Sequence, residues 1–201
     1  MQLRNILFCV MLLIAVFSSG CAIKVSSQYA PSVLLDGEGT VNIKDFAYTP
    51  DGFEFDAATG KYFKASNDGK TRKFIEPYEV YTFSGLNPVY LDKSISEFVT
   101  DAVKKEFKFI GYKNLTDSHR IVGGSIKEVS IDYIGFSTID YIVKVAFQIS
   151  DGSNNIVYSN LSEGKYSTSK FTTTDLTSGL YTALAKSIES FVRLAQANGA
   201  L

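Results

Sequence analysis

Between Ile139 and Ile149 every second residue is apolar: Ile139, Tyr141, Val143, Val145, Phe147 and Ile149 alternate around Asp140, Lys144 and Gln148. A period of two over that length is a strand with one face in a core and the other towards water, and such a strand needs partners on either side. Asp151-Gly152-Ser153-Asn154-Asn155 then makes a turn into a return strand from Ile156 to about Tyr166. Upstream, Val122, Gly124 and Ile126 alternate in one phase and Val129, Ile131 and Tyr133 in the opposite one. A slip of one residue exchanges the two faces, so a bulge or break is expected near Lys127-Glu128. Three antiparallel strands therefore occupy the middle of the fold.

Helices are expected before and after this meander in the chain. Ser94-Ile95-Ser96-Glu97 has the form of a capping box, in which Ser94 accepts from an amide of the first turn and Glu97 reaches back to the cap. Ile95, Phe98, Val99, Ala102, Val103 and Phe107 then recur at helical spacing as far as Gly111. The second stripe is Leu176, Leu180, Ala183, Leu184, Ile188, Phe191 and Ala195, with Asn198-Gly199 as its stop. A further strand is read from Val41 to Tyr48, ended by Pro50-Asp51-Gly52. Residues 50–90 hold eleven of the Phe and Tyr residues once Phe46 and Tyr48 are included, broken by Asp51-Gly52, Thr59-Gly60 and Asn67-Asp68-Gly69, and read as an inserted β-hairpin with an irregular crossing segment. The expected architecture is an α+β two-layer sandwich: an antiparallel sheet of about four strands, two helices on one face, and the inserted hairpin.

The N-terminus constrains location. Arg4 precedes an unbroken apolar run from Ile6 to Phe17, and Ser18-Ser19-Gly20 leads into Cys21. That run is shorter than the ~20 residues a spanning helix requires. It resembles a bacterial lipoprotein signal, with residues 1–20 removed and Cys21 becoming the lipid-bearing first residue. Several acyl chains hold a protein at a membrane essentially permanently, where one binds marginally. Ala22, in the position where Asp favours inner-membrane retention in Gram-negative bacteria, points to the outer membrane and a body facing the periplasm. Residues 21–37, small and polar around Pro31, read as a lipid-anchored tether, and residues 38–201 as a single domain.

Removal of residues 1–20 takes away Arg4 and no acid, leaving 19 basic against 21 acidic side chains. A near-neutral chain offers nucleic acid no electrostatic attraction, and no nucleic-acid role is assigned. With Cys9 discarded and Cys21 acylated, no thiol remains for a disulfide, a nucleophile or a metal site, and His119 is the one histidine. It reads as a solvated side chain, and neither a metal nor a cofactor is expected. Asp68-Gly69-Lys70-Thr71 carries the end of a phosphate loop, but Lys64 stands where its first glycine belongs, so the segment reads as a turn. The aromatic and basic residues of 61–83 form the one segment whose composition suits an interface, and Tyr62, Arg72 and Tyr78 are its candidate partner or ligand residues. The same rings would equally pack a hairpin onto the body.

From Ser94 to Ala197 the chain resembles the YajG family of outer-membrane lipoproteins and, more distantly, the lipoproteins related to LptE and the auxiliary lipoproteins of ABC-type envelope transporters. The resemblance lies in the helix closing on Phe109-Ile110-Gly111-Tyr112, the strand Tyr141 to Ile149, the Asp151-Gly152 turn, the return strand through Tyr158 and Tyr166, and the Leu180 to Phe191 helix. It implies a non-enzymatic protein, with no catalytic residues, that assists envelope assembly, transport or maintenance through an envelope protein partner. The alternative is a binding module for peptidoglycan, lipopolysaccharide or another lipid through the aromatic segment.

Overall fold

The computed structural model describes residues 22–65, 72–82, 88–134, 137–170 and 172–201. Its centre is the meander of β10 (Ile121–Ile134), β11 (Thr138–Ser150) and β12 (Ile156–Thr168), paired antiparallel. Val122, Gly124 and Ile126 lie opposite Ile149, Phe147 and Val145; the register then shifts between Ile126 and Glu128, and Val129, Ile131 and Tyr133 lie opposite Val143, Tyr141 and Ile139. The bulge thus keeps both phases of β10 on the face that β11 buries. Gly124 has φ +153°, and a Cβ there would meet the Ala146 carbonyl oxygen at 2.1 Å.

The remaining strands overturn the expectation of a four-stranded antiparallel sandwich. The sheet is mixed and has nine strands among the described residues, running β1 (Ile23–Val25), β8 (Val89–Leu91), β7 (Glu79–Thr82), β10, β11 and β12, with β2 (Thr40–Ile43) and β3 (Ala47–Tyr48) also on β10 and β9 (Lys113–Asn114) on β2. β2 (Thr40–Ile43), β3 (Ala47–Tyr48) and β7 (Glu79–Thr82) each pair in parallel with β10, at Ile121–Val122, Ser125–Ile126 and Ser130–Ile131 respectively. One long edge of β10 is shared by three short strands from much earlier in the chain. The single strand expected from Val41 to Tyr48 is therefore two, and the reason is geometric: Phe46 turns inward between them to meet Phe147 at 5.4 Å, while Thr100 Oγ1 accepts its amide at 2.9 Å. Too short for any periodicity to show, such strands are set by pairing at long range.

The region read as one inserted hairpin is likewise more than that. β4 (Glu54–Asp56), β5 (Lys61–Ala65) and β6 (Arg72–Ile75) form a separate three-stranded antiparallel sheet, whereas β7 and β8 (Val89–Leu91) join the main sheet as a hairpin. β9 (Lys113–Asn114) runs beside β2.

Helix α1 (Ile95–Phe109) begins at the expected capping box, Ser94 accepting from the Glu97 amide. Helix α2 (Thr173–Ala197) has a second box, Thr172 with Asp175, and ends at Asn198. The helices meet over one face of the sheet, where Phe191 of α2 stacks on Phe147 at 4.2 Å and touches Phe107 of α1 at 6.5 Å. Each such fully buried aromatic is worth ~1.5–3 kcal/mol relative to exposure.

The folded body also starts earlier than residue 38. β1 (Ile23–Val25) pairs in parallel with β8, register Lys24 to Tyr90, and Val25, Tyr29 and Val33 are all buried. Side-chain hydrogen bonds hold residues 26–29 against the body: Asp92 Oδ1 accepts from the Ser27 amide at 3.0 Å, Tyr181 donates to the Ser26 carbonyl at 2.7 Å, and Lys105 to the Tyr29 carbonyl at 2.9 Å. The segment read as a tether is packed against the body, with Val25, Ser27, Tyr29 and Val33 buried and the residues between them facing outward.

Candidate functional site

The three-stranded sheet leaves a cleft against the main sheet. Its floor comes from the end of β3, where Tyr48 is buried against Tyr62 at 5.0 Å, and the Tyr62 hydroxyl donates to the Tyr48 carbonyl at 2.7 Å. Burial, with Tyr62, Glu79 and Glu128 nearby, pushes the Tyr48 hydroxyl pKa well above its usual value, so that ring stays neutral. The wall is Phe53 edge-on to Tyr81 at 5.4 Å. Over the Phe53 ring, 5.6 Å from its centroid, lies the Lys64 ammonium, a cation–π arrangement.

The β10 bulge supplies the other side, as bulges re-aim side chains. Lys127 donates to Thr49 Oγ1 at 3.1 Å, and Glu128 is bridged by Lys144 at 2.7 Å, a hydrogen bond that raises the lysine's pKa. Lys144 also approaches Glu163 at 3.7 Å, and on the rim Lys64 and Lys127 stand against Asp51 with Glu79 near the Tyr48 floor, so the cleft carries both signs and two ammonium groups placed to meet an anionic group. It encloses about 180 Å³. That is below the ~300 Å³ at which pockets take drug-sized ligands, and suits one side chain or one sugar ring.

The candidate residues do not converge. Tyr62 is at the root of the three-stranded sheet, its ring also 5.1 Å from Phe55. Arg72 lies on β6 in register with Ala65. Tyr78, 43% exposed, precedes β7 and packs its ring on Tyr90 at 5.6 Å, outside the cleft lining. Cys21 and the signal segment fall outside the described residues, as do Asp68 to Thr71, while His119 is exposed. The contributions of Tyr48 and Lys127 escaped the sequence reading; the phase change at Lys127-Glu128 was the signal that a side chain there is redirected. Among the described residues, no group of three or more His, Cys, Asp or Glu side chains is placed to hold a metal, and no helix is long and apolar enough to cross a membrane.

No protein-family model and no curated protein matches the chain. Solved structures do. A DUF330 protein of Xanthomonas campestris aligns with a TM-score of 0.58 at 10% identity, over 88% of this chain and 96% of its own. An uncharacterised protein aligns at 0.50 and 8% identity, over 85% and 98%, and PelC of Paraburkholderia phytofirmans, solved as a dodecamer, at 0.41 and 11%, over 80% and 92%. The likeness to the first two is one of fold.

Proposed function

We propose that this chain is a non-enzymatic lipoprotein of the bacterial outer membrane that faces the periplasm and supports envelope assembly, transport or maintenance by holding a protein partner. The observation that carries the reading is the junction at Ala22: the apolar run and Cys21 end where the packed body begins, so acyl chains on Cys21 would fasten the sheet itself to the membrane. The YajG-like pattern of the helices and the meander supports the same reading. Labelled palmitate should enter the wild-type protein and not Cys21→Ser. Crosslinking in intact cells, followed by capture from solubilised envelopes, should then return the same envelope protein with the wild type and not with the unacylated chain. Equal labelling of both forms, or capture unaffected by Cys21→Ser, would count against it.

The cleft favours a second reading, a binding module for an anionic envelope saccharide, with Phe53 and Tyr81 beside the ring and Lys64 and Lys127 near a carboxylate or phosphate. A ligand at ~100 times its Kd raises stability by ~2.7 kcal/mol. Muropeptides or lipopolysaccharide core sugars that left the melting temperature unmoved at millimolar levels would remove this reading.

A further inference from the structure

We propose that the face carrying Lys24, Tyr78 and Tyr90 is the surface on which the body rests against the lipid headgroups. This rests on the anchored reading above and adds an orientation to it. The argument begins with reach. A free tether over residues 22–36 would extend roughly 50 Å and leave the body indifferent to the bilayer. Instead the sheet starts at Ile23, and the Cα atom of Cys21 is ~3.8 Å from that of Ala22. Whatever surrounds Ala22 must therefore meet the membrane.

Ala22 is exposed and lines an open groove of about 700 Å³ with Lys24, Tyr78 and Tyr90. Tyrosine rings, apolar with one polar tip, concentrate at the headgroup level of membranes. The charges of the groove balance in sum, Lys24 and Lys93 against Asp92 and Asp101, and what sets Lys24 apart is its exposure without an ion pair among the described residues. Asp92 Oδ1 accepts the Ser27 amide at 3.0 Å and Lys93 is paired with Asp101, whereas Lys24, exposed beside Tyr90, has no ion-pair partner among the described residues. An exposed lysine next to an acyl attachment point is drawn to anionic headgroups. The two helices begin at this end: Ser94 lines the same groove, and Thr173 shares with Lys24 a neighbouring one.

The chain contains no tryptophan, and from Cys21 onwards that cysteine is its only thiol. The chain from Cys21 can therefore be coupled through the thiol to a maleimide-bearing lipid in phosphatidylethanolamine–phosphatidylglycerol vesicles, whether or not cells acylate it. Tyr78→Trp should then show a blue-shifted emission, quenched at least twofold more by lipid brominated near the headgroup than Phe109→Trp. The latter is an exposed position ~22 Å along α1. Tyr90→Trp serves as a second reporter should Tyr78→Trp alter the circular dichroism. Equal quenching at the two ends, or none at Tyr78→Trp, would overturn the orientation. Palmitate labelling of Cys21 in cells separately decides whether the anchor is present.

Discussion

Glu106, on α1 and without exposed surface, accepts hydrogen bonds from the Tyr29 hydroxyl and from the amides of Ser32 and Val33, the latter two at 2.9 and 3.1 Å. One carboxylate thus closes the N-terminal segment onto the body, and burial together with that carboxylate pushes the Tyr29 pKa far up. Glu106→Ala strands three donors, each costing ~1–3 kcal/mol, and should lower the urea unfolding free energy by at least ~3 kcal/mol. Glu106→Gln, which keeps an acceptor, should cost less. Stability responds to pH through two helix-capping carboxylates. Hydrogen bonds from the side chain and backbone of Ser94 and of Thr172 hold Glu97 and Asp175 below their usual values of 4.5 and 3.8. A folded-state pKa that is depressed means the unfolded chain takes up the proton first. The stabilisation is full above the ordinary values and is lost as the pH falls through the folded ones. The melting temperature should therefore drop between about pH 5 and pH 2, and Asp175→Asn should flatten the drop.

Among the elements, α2 lies close enough to β12 that Gly164 has no room for a side chain: a Cβ there would fall 1.8 Å from the Ala183 carbonyl oxygen and 2.6 Å from the Ser187 amide nitrogen. Both are helix backbone and neither can move alone. Gly164→Ala should destabilise by the ~1–3 kcal/mol of an overpacked core or more, read from chemical denaturation. Leu184→Ala, at a fully buried position of the same helix, should cost ~2–5 kcal/mol, against less than ~0.5 kcal/mol for Leu194→Ala, which is exposed. Both helices, the meander and the bulge after Ile126 were legible in the sequence because each is written in local periodicity or a cap. β2, β3 and β7 were not, since a strand of two to four residues has no period to read and its partner lies 40 or more positions away. β1 was missed for the same reason, and with it the anchoring of Tyr29, whose partner Glu106 on α1 reads as an ordinary polar position.

At the scale of the whole molecule, the aromatic segment divides between two tasks. Tyr62, outside the cleft lining, is fastened by its ring and its hydroxyl to Tyr48, which forms the cleft's floor, whereas Tyr78 stands 43% exposed in the groove that Ala22 and Lys24 line. Tyr62→Ala should lower the melting temperature clearly, and Tyr78→Ala should change the unfolding free energy by less than ~0.5 kcal/mol. Only the composition of this segment was legible in the sequence. Which rings pack and which face outward depends on the strands they sit beside, Tyr62 against Tyr48 at the end of β3 and Tyr78 against Tyr90 of β8, a fact of tertiary pairing. That long strand has a consequence for how the protein is made. β2, β3 and β7 all leave a ribosome, or a secretion channel, before Ile121–Ile134, the strand against which they pair. Loop closure must precede their pairing, so β2, β3 and β7 cannot dock on β10 until the middle of the chain has emerged, although β4, β5 and β6 can pair among themselves before then. A chain built in this order keeps the centre of its main sheet unassembled until Ile134 has emerged.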